Sequence, residues 1–530
     1  MRRKFAGLVC APFLMMMAIS SSASSSAGRW VEARSTHFVV LTDSSERDAR
    51  RLASQFERMH LVFHTLFPTK GDDSDPPIVV LAVKDRKGME ALEPEAYLGK
   101  GKVDLSGFFV RAPDKNYIMV RLDAHREHAF STVYHECTHY MLRKAEWLPL
   151  WLNEGLAQFY ENTDIDDKNA WLGQANAERL RYLNRNELLP IATLLAVDST
   201  SPYYHDEQKG SAFYAESWAL THYLIVSDRI EGTHRIHDYA QLLAQGEDAV
   251  TAAQHAFGDL DKLQEALNTY LMQRRFMYFM MPTTLSSQDS LFEVRPVSTA
   301  EADAVRADVL VYTERKKEAR ALLDTVLRDD PGNALAHETM GYLRYREGDI
   351  AGAKKWYGEA VKLDSRSYLA HYYYATTALH GGNSEEDEAI ESSLRATIRL
   401  NPDFAPAYDS LAMFYVSRHR RLDEAYALNV RAIELEPGSL SYRINCAEVL
   451  TEERQFADAL DVLGAARRLA KTPYEIDAVE SRVARVERYQ TELAGSFGRA
   501  PNVSLEMPAD RARNLPDAPD ETIGMDGIGQ

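Results

Sequence analysis

The sequence is poor in three things, and each shortage excludes something. It has three cysteines in 530 residues, too few for a disulfide-stapled scaffold. It contains no apolar run of the roughly 20 residues that a membrane-spanning helix needs. It is short of positive charge: 61 Lys and Arg stand against 79 Asp and Glu, a formal net charge of −18. That excludes phosphate-tracking nucleic-acid binding as the main activity, because such binding needs a basic footprint. What remains is an ordinary globular composition, 45% hydrophobic and 26% charged. The chain is long enough for roughly two to four domains.

The N-terminus has the layout of a secretory signal. Arg2, Arg3 and Lys4 precede an apolar stretch from Phe5 to Ile19, and a small-residue segment runs from Ser20 to Ala27. Cleavage is expected after Ala23 or Ala27, so residues 1–27 read as a signal peptide. Cys10 follows Val9, where a lipoprotein site needs a small residue, so lipidation is not expected. Cleavage removes Cys10 with three positive charges and takes the net charge to −21. The chain is thus expected to be exported, to a bacterial periplasm or beyond the cell. No membrane span is expected after cleavage.

Residues 28–285 read as an α+β domain with a mixed N-terminal sheet and a helical second half. Strand patterns lie at 37–42, 77–83, 107–111 and 116–122, the last two forming a hairpin through the turn APDKN. A helix is expected over 46–66, capped by Ser44 or Ser45. From about 126 onward the pattern is mostly helical.

Residues 297–495 carry an internal repeat. Helix-boundary signals at Pro331, Ser365, Pro402, Pro437 and Pro473 are spaced by 34, 37, 35 and 36. Small residues follow in phase at Gly341, Ala375, Ala412 and Ala447, and again at Ala353, Ala389, Ala425 and Ala459. Two antiparallel helices that cross closely need such positions. The pattern resembles the tetratricopeptide repeat, with four full copies, a half-repeat around 318–330 and a capping helix after 473. The resemblance implies an all-α solenoid that binds a protein partner or substrate. Residues 496–530, rich in Pro, Gly and acids, are expected to be disordered.

The sharpest chemical signal is His135-Glu136-Cys137-Thr138-His139 inside a helical segment. Histidines at i and i+4 share one helix face and can reach one metal ion. Glu136 lies about 100° around the helix, placed to take a proton from water that the ion has acidified. A second helical segment, LPLWLNEGLAQFYEN, brings Glu154 fifteen residues after His139. Two histidines and one carboxylate leave a coordination position open, the mark of a catalytic rather than a structural zinc site.

HECTH followed by WLNEGLA resembles the gluzincin metallopeptidases. The resemblance implies Zn²⁺ held by His135, His139 and Glu154, with Glu136 as general base. A third block, YAESWALTHYL, is similar to the downstream helix of the gluzincin aminopeptidases and implies Tyr214 as an oxyanion donor. The chain departs from that pattern in three ways. The gap before the Asn-Glu motif is short. Gln158 stands where thermolysin-like enzymes place a histidine-orienting Asp, which leaves Glu161 as the candidate for that task. No Gly-x-Met-Glu-Asn amine-binding motif precedes His135, so aminopeptidase activity does not carry over. By analogy, the 116–122 strand can be the edge to which an extended peptide adds.

Other residues read as packing. Cys137 points off the histidine face. His222 reads as core, and His234, His237 and His255 have no partner spacing. The run Tyr372 to Tyr374 reads as repeat core and groove wall. Two functions follow: an exported zinc metallopeptidase acting on peptides or proteins, or an inactive peptidase-like scaffold whose repeats bind a partner. A metal-dependent hydrolase acting on a non-peptide bond is a third, weaker option.

Overall fold

The computed structural model describes residues 30–66, 77–98, 105–124, 130–143, 148–198, 200–205, 207–285, 292–379 and 384–497. The segment expected to be a signal peptide, 1–27, and the tail expected to be disordered lie outside these residues, except that the last helix includes 496 and 497. Strands are labelled β1–β9, and helices of nine or more residues α1–α18, in chain order.

A six-stranded mixed sheet organises the N-terminal part. Its strands are β1 (Trp30–Arg34), β2 (Phe38–Thr42), β3 (Ile78–Val83), β4 (Gly107–Arg111), β5 (Asn116–Arg121) and β9 (Glu293–Val297). Their order is β4-β5-β3-β2-β1-β9. β2, β3 and β5 are parallel; the other pairings are antiparallel. Helix α1 (Glu46–Leu66) makes the β2–β3 crossover, as a parallel pair requires. The four expected strands and α1 lie where the pattern put them. β5, however, is paired on both sides, so the expected peptide edge is not there; β4 is the edge strand.

Both faces of the sheet are buried, which explains its near-continuous apolar runs. Phe38, Val40, Val80, Ala82, Ile118 and Val120 face the core shared with α1 and the helices after 130. Leu41, Leu81, Val83, Tyr117 and Met119 face the opposite way, against Ala302 and Val309 of the first repeat helix. β9 falls between the two expected domains and is hydrogen-bonded into the sheet beside β1, so the chain enters the repeats directly from the sheet.

Four helices matter for the site or its support: α2 (Ser131–Leu142), α3 (Leu150–Glu161), α4 (Glu207–Glu231) and α7 (Leu260–Leu271). Between α4 and α7 lie α5 (Arg235–Ala244) and α6 (Ala249–Phe257). The helical stretch is interrupted by a small sheet of β6 (Asp164–Ile165), β7 (Asn169–Leu172) and β8 (Phe279–Pro282), in that order, which the sequence pattern did not indicate.

The C-terminal part is an all-helical repeat region. Helix pairs are α8/α9 (Thr299–Tyr312, Lys316–Asp329), α10/α11 (Ala334–Arg346, Ile350–Lys362) and α12/α13 (Tyr368–Leu379, Asp387–Leu400). They continue as α14/α15 (Ala405–Ser417, Leu422–Leu435) and α16/α17 (Leu440–Glu452, Phe456–Leu469), closed by α18 (Pro473–Phe497). The expected half-repeat is therefore a whole hairpin, completed by α8. Gly341 shows why small residues recur: a Cβ there would lie 2.8 Å from the Tyr357 ring. Ala353, Ala375, Ala412, Ala425 and Ala459 are fully buried, and Ala447 is nearly so. Ala389 is exposed, and Ile390 takes the buried place. The altered spacing of this third hairpin shifts its phase by one residue.

Candidate metal centre

α2 and α3 pack against each other, and α4 packs across α3. Gly155 makes that second crossing possible: a Cβ there would sit 2.1 Å from Thr221 Oγ1 and 2.5 Å from the Ser217 carbonyl. The glycine of the Asn-Glu-Gly triplet thus lets α3 approach α4 closely and turn Glu154 toward α2.

The structure brings His135, His139 and Glu154 together. The Nε2 atoms of the two histidines lie 3.1 Å apart. Glu154 Oε2 lies 3.7 Å from His135 Nε2 and 3.6 Å from His139 Nε2. Donors on a tetrahedral ion with bonds of about 2.0–2.1 Å stand about 3.4 Å apart, and the three distances bracket that value. Among the described residues, Glu154 Oε2 is buried without a hydrogen-bond partner, a costly state for a carboxylate oxygen unless a cation satisfies it.

The outer nitrogens explain the orientation of both rings. His139 Nδ1 lies 2.6 Å from Asn153 Oδ1, and His135 Nδ1 lies 3.3 Å from Glu161 Oε2. Each acceptor holds a proton on Nδ1, so both Nε2 atoms present lone pairs toward Glu154. Facing lone pairs repel unless something positive stands between them. His139 accordingly has a raised pKa: burial, the largest single influence, opposes its charge, but the Glu154 carboxylate, with Asn153 and Glu136, outweighs burial. The donor set fits a divalent zinc-type ion.

Glu161, not Gln158, is the side chain that stands beside His135 Nδ1. Arg179 fixes it with a 2.8 Å hydrogen bond. Burial alone would raise the Glu161 pKa, but His135 and Arg179 together outweigh burial and leave it lowered. Neither Asn153 nor Arg179 was singled out from sequence. Asn153 carried a signal, its place in the Asn-Glu pair. Arg179 carried none, because only the tertiary fold brings it to Glu161.

Glu136 and Tyr214 line the same open cleft of about 930 Å³ as the three donors, with Phe109 and Arg111 of β4, Arg143, Gln158 and Tyr204. Tyr204, unforeseen from sequence, stands beside Tyr214 with ring centroids 6.2 Å apart. Their hydroxyls hydrogen-bond to each other, and burial, with the Glu154 charge next, raises both pKa values. The pair stays protonated at neutral pH. It carries two protons and uses one in its own bond, so it can also donate into the cleft.

The residues read as packing are placed as follows. Cys137 is buried in the domain core, where burial pushes its thiol up. His222 is fully buried, with Nε2 2.9 Å from the Gly173 carbonyl and Nδ1 2.8 Å from the Tyr270 hydroxyl. Burial pushes its pKa down to about 4. His255 pairs with Glu247 at 2.7 Å, away from the cleft. A second cluster, His37, Glu57 and His60, also lies among the described residues. Its geometry is different: His37 Nδ1 is 2.7 Å from Glu57, a hydrogen-bond distance, and the two rings stack at 3.7 Å. Stacked rings send their in-plane lone pairs parallel rather than toward one point.

Comparison with known proteins gives limited likeness. A family model described as a protein of unknown function (DUF1570) matches residues 129–241, the span holding all three donors, Glu136 and Tyr214. No curated protein matches the chain. Among solved structures, the chain is similar to YrrB, described as a TPR protein with an unusual peptide-binding site, at 19% identity and a TM-score of 0.32, covering 34% of this chain and 92% of that one. It is similar to MamA at 21% identity and a TM-score of 0.29, covering 33% and 98%. It is also similar to yeast Tom70 at 12% identity and a TM-score of 0.28, covering 70% and 90%.

Proposed function

We propose that the chain is an exported zinc metallopeptidase that hydrolyses peptide bonds, with tetratricopeptide-like repeats that engage a protein partner or substrate. The observation that carries this reading is the convergence of His135 Nε2, His139 Nε2 and the unsatisfied, buried Glu154 Oε2 in a cleft that also holds Glu136. A bound zinc ion supplies Lewis-acid polarisation and lowers the pKa of water. Glu136 takes the proton of the attacking water and passes it to the leaving amine. The Tyr204–Tyr214 pair donates to the carbonyl oxygen as negative charge develops on it. Asn153 and Glu161 hold the imidazoles in the tautomer and orientation this requires.

Zinc content of the mature protein, with peptide hydrolysis by wild type and Glu136→Gln, tests the reading. The expected result is near one zinc per chain in both proteins and a loss of roughly 10²–10⁴-fold in rate in the variant. Equal, nonzero activity in both would overturn the assignment of Glu136.

A second reading is a scaffold without catalysis, whose repeats do the work. Gln158, in place of the family's Asp, and the missing amine-binding motif favour it. Zinc bound at stoichiometry with no hydrolysis of a broad peptide library would decide for the scaffold.

A further inference from the structure

The turn between β4 and β5 is inserted among the inner helices of the repeats. Lys115, which closes the turn before β5 and is 17% exposed, stands 3.3 Å from Asp308 of α8 and 3.7 Å from Glu338 of α10. Asp308 also accepts from the Tyr117 and Thr339 hydroxyls. Ser367, just before α12, donates to Asp114 at 2.5 Å, and the Tyr368 hydroxyl donates to the Pro113 carbonyl at 2.8 Å. Three successive inner helices therefore hold one four-residue turn. Burial alone would depress the Lys115 ammonium, but the surrounding carboxylates, Asp308 foremost, raise it well above the ordinary lysine value. The lysine is a charged plug in an acid-lined pocket.

β4 leads from that plug to the metal centre. Its Arg111 is one residue before the turn, and Arg111 and Phe109 both line the cleft. Among the described residues β4 pairs in the sheet only with β5, so the turn supplies a second anchor.

We infer that the groove of the first three repeat hairpins is an internal docking site for residues 112–115, and that Lys115 is a positioning residue that sets the edge strand of the metal-site cleft. The proximal groove then serves the chain itself, and a ligand that displaced the turn would loosen the wall of the cleft. This goes beyond the proposed peptidase reading; only its kinetic readout rests on that reading.

The test compares full-length wild type with Lys115→Met and with the double variant Ser367→Ala/Tyr368→Phe. The double variant removes both hydrogen bonds to the turn, and with them the Ser367 cap on the Ala370 N–H; it leaves Lys115 and its carboxylates in place and remains informative if Lys115→Met fails to fold. The primary readout is amide hydrogen exchange of residues 107–111, with β2, β3 and α14–α17 as internal references. Zinc per chain is measured beside it. The expected result is at least tenfold faster exchange in β4, reference segments within twofold of wild type, and unchanged zinc. If labelled casein is cleaved, KM rises while kcat holds. Unchanged β4 exchange, or equal acceleration everywhere, would overturn the inference even in a chain with no activity.

Discussion

Asn153 accepts a hydrogen bond from His139 Nδ1 at 2.6 Å, one residue before the Glu154 carboxylate that faces His139 from the other side. One Asn-Glu dipeptide on α3 thus supplies both a candidate metal ligand and the group that orients another. The two side chains can do this because consecutive helical residues diverge by about 100°, and His139 lies in the angle between them.

Asn153→Leu should therefore weaken zinc binding by roughly 10–100-fold without removing a ligand. Glu161→Gln should do less, because a glutamine oxygen still accepts from His135. Competition for zinc against a chelator of known affinity measures both. Equal affinity in wild type and Asn153→Leu would show that the hydrogen bond does not orient the ring.

Gly155→Ala tests the α3–α4 crossing. The added methyl would meet the Ser217 carbonyl, which is backbone and cannot rotate away. The expected cost is about 1–3 kcal/mol, seen as a lower denaturation midpoint. Zinc affinity should fall as well, because any relief of the clash moves Glu154.

Glu216 makes a pH-dependent contribution to stability. It is buried on α4 and accepts from the Leu189 N–H. Burial raises its pKa to about 7, and the single backbone donor offsets only part of that. Its folded pKa exceeds its unfolded value, so the folded chain holds the proton longer. Stability is then highest below about pH 4.5, falls as pH rises through 7, and stays reduced above it. Glu216→Gln keeps the acceptor and loses the titration. The variant should gain on wild type between pH 5 and pH 8, by up to about 3 kcal/mol. A constant difference across that range in urea unfolding would refute the assignment.

Much of the fold was legible because it is local. The β2 and β3 runs are apolar and β-branched, α1 has cap residues and Pro68 after it, and HExxH and the Asn-Glu pair each sit within one helix. β1 and β9 were not legible. WVEAR and EVRPV alternate apolar and charged residues, and Pro296 argues against a central strand. β1 becomes a strand between its neighbour β2 and β9, and β9 by pairing with β1 across about 260 residues of chain, at the edge where a proline is tolerated. Ala389 misled for a related reason: its spacing from Ser365 fits the period, but α13 presents Ile390 to the core. At the site, Tyr204 and Arg179 come from turns and short helices whose placement depends on the whole domain.

The loops inside the repeat hairpins offer a last test, of local backbone strain. Gly348, between α10 and α11, has φ of +79°, and the equivalent residues Glu314 and Arg454 have φ of +63°. Side chains with a Cβ pay about 1–2 kcal/mol for that conformation, whereas glycine adopts it freely at some cost in unfolded-chain entropy. Glu314 is compensated by an ion pair with Arg346 at 2.8 Å. Arg454 has no such ion pair among the described residues, so it is the better site for substitution. Arg454→Gly should raise the stability of the repeat region, by less than about 1 kcal/mol after the entropy offset. Glu314→Gly should give a smaller gain or a loss, because the pair with Arg346 goes with the side chain. Thermal unfolding of both variants beside wild type reads the difference, and a destabilised Arg454→Gly would mean that its side chain contributes more than the strain removes.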